Sequence, residues 1–290
     1  MGRIVRYKGG AVTMSIGSLV SSYLLANRRR KFWMFSLVAL VLGSSYYICS
    51  HAGAPPRRVS VLVELFTSEG CSDCPPADQV LAQLAQRDLI DGVDVIAMSE
   101  HVDYWNRLGW SDPYSDAQFS IRQNEYAQAF GYRDIYTPQM VVDGQIEFVG
   151  SNRAKAIQAI TSAGRKSKDS VAITLIDRGK DTLKLQVRAD PLSGLTPRES
   201  ADVFLAVTEN NLFSNVERGE NRGRRLTHIA VVRKFIPIGN ISEGSSFTAL
   251  PVVRVASQWK PKDLRAVALV QGRRDRRILA VASIPLEPLE

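Results

Sequence analysis

Residues 70–78 read GCSDCPPAD. Cys71 and Cys74 stand two residues apart, and Pro75 and Pro76 follow at once. Proline is tolerated in the first turn of a helix, where its missing N–H has no partner to lose. The pair therefore reads as the entrance to a helix running from about Pro75 to Arg87, with Val80, Leu81 and Leu84 on one face. Three chemistries use such a pair: thiol–disulfide exchange, metal ligation and a structural disulfide. The last is a poor explanation, because a ring closed across two residues removes little entropy from the unfolded chain.

Outward from this stretch the elements alternate. Residues 60–66 (SVLVELF) are β-rich and mostly apolar, as a buried strand is. Residues 93–98 (VDVIAM) read as a second strand, followed by an aromatic loop, HVDYWNRLGWSDPY, at 101–114. Ser115-Asp116-Ala117-Gln118 has the form of a capping box and predicts a helix to about Phe130, stopped by Gly131. Thr137-Pro138 leads into two short apolar runs separated by Asp143-Gly144, a strong hairpin signal. A closing helix is expected over 152–163.

The order is strand, helix, strand, helix, strand, strand, helix. With Cys71-Ser72-Asp73-Cys74 after the first strand and Thr137-Pro138 before the hairpin, residues 58–165 resemble a thioredoxin-like domain. The segments ELFTSEGCSDCPPAD, SEHVDYWNRLGWSDPYS, YTPQMVVDG and LTHIAVVR also resemble a family of exported bacterial proteins of unknown function with a thioredoxin-like fold. The resemblance implies a cis Pro138 facing the cysteines, with Thr137 as the adjacent backbone contact. It supplies no reaction.

Beyond 165 the pattern changes. Residues 164–170 (GRKSKDS) read as a linker, and seven short alternating, β-branched runs follow between turn signals. The expected fold class is thus an α/β thioredoxin-like domain at 58–165 followed by an all-β, sandwich-like domain at 170–288. His228 (LTHIAVVR) reads as a core-strand residue of the second part.

The thiolate is the nucleophile in disulfide exchange. At a helix start, Cys71 would lie near unpaired N–H groups and the positive end of the dipole, both of which favour the anion and take the pKa below the free value of ~8.5. Cys71 is therefore the expected attacking sulfur, reachable from solvent, and Cys74 the resolving one. Asp73 pulls the other way. His101 is a candidate proton acceptor for Cys74 or a hydrogen-bonded structural histidine. Glu64 is either an inward acid relaying protons to Cys74 or a surface carboxylate. Cys71, Cys74 and His101 could hold copper as Cu(I), a soft ion. No second CxxC and no HxxxH accompany them, so the ligand set is short for zinc. The redox, metal and inert readings of the pair all stay open. Tyr104, Trp105, Trp110 and Tyr114 either pack over the inserted helix or form a wall that grips a partner.

The 290-residue chain carries 37 Lys and Arg against 29 Asp and Glu. Seven of those bases, and no acid, lie in residues 1–54; the remaining 30 bases nearly balance the 29 acids. The basicity thus belongs to an address segment and argues against a nucleic-acid partner. One local basic cluster, RGENRGRR at 218–225, reads as a solvated loop. Residues 28–31 (RRRK), an uncharged apolar run at 32–48 and Ala52-Gly53-Ala54 have the form of a signal peptide with its cleavage site. The rival is an uncleaved anchor, since a span needs ~20 residues. Both place the body outside the cytoplasm: periplasmic, secreted, or held at the inner membrane by the N-terminal segment alone. Cys49 belongs to the apolar run. The expected partners are extracytoplasmic protein thiols or disulfides, with a non-enzymatic copper-handling or partner-binding module as the alternative.

Overall fold

The computed structural model describes residues 58–287. The targeting segment expected over 1–54, with Cys49, lies outside the described residues. Strand β1 (Val59–Thr67) is buried from Val61 onward and alternates its faces. Helix α1 (Cys74–Leu84) follows, with proline at its first positions. Strand β2 (Val93–His101) runs parallel to β1, with Val59 opposite Val93 and Thr67 opposite His101. Helix α2 (Ala117–Phe130) starts at Asp116, whose side chain accepts from the Gln118 N–H, and stops at Gly131 with a left-handed φ of 77°. Strands β3 (Gln139–Val142) and β4 (Ile146–Val149) form the hairpin, with positive φ at Asp143 and Gly144, and β3 lies antiparallel to β1. Helix α3 (Arg153–Ala163) is capped by Asn152, which accepts from the Lys155 N–H.

Ten strands follow: β5 (Val171–Arg178), β6 (Thr182–Ala189), β7 (Ser200–Glu209), β8 (Leu212–Asn215), β9 (Arg225–His228), β10 (Val231–Ser242), β11 (Phe247–Ala249), β12 (Val252–Arg254), β13 (Leu264–Gly272) and β14 (Ile278–Pro285). They do not make a separate sandwich. One mixed eight-stranded sheet runs β14-β13-β7-β10-β2-β1-β3-β4 through both halves of the chain. The expected fold class, a thioredoxin-like α/β domain followed by an all-β sandwich, is therefore wrong. About 41% of the described residues are strand and 18% helix. The halves join where β10 lies parallel to β2, with Val231 opposite Ser99 and the Ser99 N–H donating to the Ala230 carbonyl at 2.8 Å. The described residues fall in one compact unit. Alternation in a sequence reports which face of a strand is buried, not which strand lies beside it. Without β10, β2 would be an apolar edge with open N–H and C=O groups, an arrangement that proteins avoid.

The core has three parts. On one face of β1 and β3, Val61, Val63 and Leu65 meet Ala77, Leu81 and Leu84 of α1 and Ala159 and Ile160 of α3. On the other face, Leu62, Phe66, Ile96 and Met98 meet Phe119 and Tyr126 of α2. The sheet curls so that β14 returns against β1, which brings Val267, Leu269, Ile278 and Val281 into this second cluster. A second sheet of β5, β6, β11 and β12 covers the outer face of β7 and β13, over Leu205, Val207, Ala266 and Ala268. Lys168, between α3 and β5, bonds the Ser60 carbonyl and Asp143.

Candidate functional site

Strand β1 delivers a tight loop. The Cys71 N–H bonds the Ser68 carbonyl at 3.2 Å, and the Cys74 N–H bonds the Cys71 carbonyl at 3.3 Å. A Cβ on Gly70 would stand 3.0 Å from Trp105 Cβ, so a residue without one suits this position. Both cysteines are free thiols. Cys71 Sγ lies 3.9 Å from the Thr137 carbonyl oxygen, and the Thr137–Pro138 peptide is cis. Trp105 Nε1 donates to Thr137 Oγ1 at 2.8 Å, and the Gly150 N–H donates to the Pro138 carbonyl at 2.9 Å. A Cβ on Gly150 would meet Leu65 Cδ1 at 2.6 Å and Ala77 Cβ at 3.1 Å. Strand β1, helix α1 and the β3–β4 hairpin thus bring Cys71, Thr137 and Pro138 together.

The two thiols differ electrostatically. The neighbouring Cys74 thiol lowers the pKa of Cys71. Burial opposes this, while Thr137 and the backbone N–H groups of Asp73 and Cys74 reinforce it. Burial pushes Cys74 well above the usual thiol value, with Cys71 and then Asp78 adding to the shift. At Cys71, then, the N–H of Asp73 assists the anion. The expectation of a solvent-reachable sulfur is not met: Cys71 is 2% exposed and Cys74 fully buried. The loop between β8 and β9 is tied to the backbone around Cys71. The Asn221 side-chain amide donates to the Glu69 and Cys71 carbonyls, both at 2.8 Å, and Glu220 Oε2 accepts from the Ser72 N–H at 3.0 Å.

Beneath the cysteines lies a polar layer that sequence reasoning mostly missed. Asp78, one helical turn after Cys74, is half-buried and accepts from Thr67 Oγ1 at 2.9 Å. Desolvation pushes its carboxyl up to about 6, against the pull of His228 and His101. His101 Nδ1 pairs with Asp112 Oδ2 at 2.7 Å, and His228 Nε2 with Glu69 Oε1 at 3.0 Å. Their rings meet edge to face at 4.9 Å, and Tyr114 packs against both. Burial would lower His101, but Asp112 outweighs it and its pKa is raised. Burial would raise Asp112, but His101 and the N–H groups of Glu69 and Tyr114 take it below the usual range. His101 Nε2 and His228 Nδ1 are buried with no partner among the described residues. Trp110 Nε1 donates to Glu69 Oε2 at 2.8 Å. The aromatic loop therefore positions site residues from within.

Asp78 was legible in principle: it stands four residues after Cys74, on the same face of α1. His228 had no local signal, because only the long return of the chain through β9 brings it here. Glu64 is buried, but it points to the α2 side, where Arg122 bonds it at 2.7 Å and Tyr126 donates to its second oxygen. No bond links it to Cys74. Asp103 receives the Ser120 hydroxyl at 2.5 Å. Among the described residues no three His, Cys, Asp or Glu side chains converge as a metal site. The copper set of Cys71, Cys74 and His101 does not assemble, and His101 is committed to Asp112.

Similar proteins share the fold. A crystal structure of protein AGR_C_4864 from Agrobacterium tumefaciens is 25% identical, with a TM-score of 0.60 over 80% of this chain and 97% of that one. HBP35 of Porphyromonas gingivalis is 17% identical, with a TM-score of 0.58 over 80% of this chain and 77% of its own. No curated protein matches the chain. A family profile matches residues 62–271, which include both cysteines, Asp78, His101, Pro138 and His228. The chain belongs to that family, described as "Protein of unknown function (DUF1223)".

Proposed function

We propose that this is an exported thiol–disulfide oxidoreductase that acts on extracytoplasmic protein thiols or disulfides. The observation that carries the reading is the placement of two free thiols. One stands just before helix α1, lies 3.9 Å from the Thr137 carbonyl at the cis Thr137–Pro138 peptide, and has its pKa lowered, first by the neighbouring Cys74 thiol. The resemblance to thioredoxins is kept here for this site chemistry.

In the reducing direction the Cys71 thiolate attacks one sulfur of a partner disulfide. The partner S–S bond breaks, its second sulfur leaves as a thiolate, and a mixed disulfide forms at Cys71. Cys74 then loses its proton to the neighbouring Asp78 carboxylate and attacks Cys71 Sγ. The partner's remaining sulfur leaves as a thiolate and takes up a proton, and Cys71–Cys74 becomes a disulfide. The partner gains the two electrons that the cysteine pair loses. A group with a pKa of about 6 suits this transfer near neutral pH.

The test is stoichiometric. The full-length chain, pre-reduced with a dithiol that is then removed, should reduce about one equivalent of a peptide disulfide, as a single two-electron pair must, with Cys71→Ser inactive. Cys74→Ala should halt at a mixed disulfide visible by mass. Equal behaviour of wild type and Cys71→Ser would end the reading. The burial of Cys71 favours the alternative, a non-enzymatic partner-binding module, and that outcome would support it.

A further inference from the structure

The loop tied to Cys71 carries most of the basic cluster of the sequence. Arg218, Arg222 and Arg224 on it, and Arg225 at the start of β9, are all exposed, and none makes an ion pair among the described residues. Against Glu217 and Glu220 the four leave residues 217–225 with two positive charges in excess. A charge run on a free loop is usually a solvated face. This one is fastened to the site. Asn221 is 1% exposed and holds the Cys71 carbonyl, and Arg224 Nη1 bonds the same Asn221 at 2.9 Å. One amide side chain therefore separates a guanidinium from the nucleophile's own backbone.

The loop also shows what this place accepts. Glu220 lays a carboxylate on the Ser72 N–H, beside Cys71, although the residue itself is exposed. Bonds from the Ser72 side chain and backbone hold that carboxyl below its usual range. Gly219, with φ of 75°, lies so that a Cβ built on it would stand 3.3 Å from Trp110 Cβ, which fixes the turn that presents Glu220.

The geometry points to a carboxylate subsite beside Cys71, made by the Ser72 N–H at the foot of this arginine-rich loop, that binds an acidic residue flanking the partner's cysteine. In the free protein Glu220 occupies it. An incoming carboxylate replaces Glu220 on the Ser72 N–H, and the loop holds the partner beside the sulfur. The inference rests on the thiol–disulfide reading and names its substrate class: extracytoplasmic proteins whose reactive cysteine has acidic neighbours. Asp73 is exposed on the motif itself and favours the opposite preference, so the sign of the selectivity is a real test.

Three synthetic peptide disulfides that differ only in having Glu, Gln or Lys beside the cysteine decide it. The pre-reduced full-length chain should react in the order Glu, Gln, Lys, with Glu faster than Gln by about tenfold at low ionic strength. The ratio should fall toward one at about 1 M salt, where screening is nearly complete, and in the double variant Arg218→Ser/Arg222→Ser. Glu220→Gln should speed the Gln peptide, because the Ser72 N–H loses its charged occupant. Equal rates for the three peptides, or Lys fastest, would overturn the subsite and leave the redox reading standing. Failure of all three peptides to react would remove both.

Discussion

Asp78→Asn separates stability from chemistry at one atom. Asparagine keeps the shape and can still accept from Thr67, but it cannot ionise. The wild-type carboxyl has a pKa raised from 3.8 to about 6, mainly by desolvation. The native state therefore binds this proton more tightly than the unfolded chain does. Between pH 3.8 and about 6 the native state holds more protons, so stability falls as pH rises through that window. Above it the charged form costs up to about 3 kcal/mol relative to acid pH, since each tenfold change in proton affinity is worth about 1.4 kcal/mol. Asp78→Asn should thus gain up to about 3 kcal/mol at about pH 7.5 and little near pH ~4. Urea unfolding at the two pH values measures the difference. The same substitution should slow resolution of a Cys71 mixed disulfide by about 100-fold or more, the usual range for a lost general base. A gain of equal size at both pH values would refute the linkage. An unchanged resolution rate in a stabilised variant would remove Asp78 from the chemistry.

The packing sets two other expectations. Arg122→Met leaves the buried Glu64 and Glu100 without their shared cation, which bonds Glu64 and stands 3.6 Å from Glu100. It should cost about 3–5 kcal/mol in denaturant unfolding, and adding Glu64→Gln should recover part of that loss. Gly150→Ala places a methyl group 2.6 Å from Leu65 Cδ1 and 3.1 Å from Ala77 Cβ, behind Pro138. It should cost about 1–3 kcal/mol and slow exchange with a peptide disulfide; neutral stability would mean that the hairpin moves freely against α1.

Much of the chain was legible because its signals are local. The Asp143-Gly144 turn takes two positive φ values, as adjacent hairpin strands demand, and Gly131 ends α2 in the left-handed region. Asp116 rather than Ser115 caps that helix, while the Ser115 hydroxyl donates to the Asp112 carbonyl instead. The strands at 171–178, 182–189, 200–209 and 264–272 follow from period-two alternation. What alternation could not reveal was the neighbour of β2. That neighbour is β10, whose Val231 pairs with Ser99 across more than a hundred residues of intervening chain. The site shows the same divide. Cys71, Cys74 and Asp78 lie within one short stretch, whereas His228 and the Asn221 tether arrive from a part of the chain about 150 residues away.

The proposed chemistry requires that Cys71, and not Cys74, is the sulfur that ionises first. Alkylation of the reduced full-length chain by iodoacetamide across a pH series, with peptide mapping of each cysteine, tests this most directly. Cys71 should be modified with a midpoint below that of a free thiol peptide while Cys74 stays unmodified over the same range. Modification of Cys74 first, or of both cysteines together with a midpoint at or above that of the peptide, would contradict it.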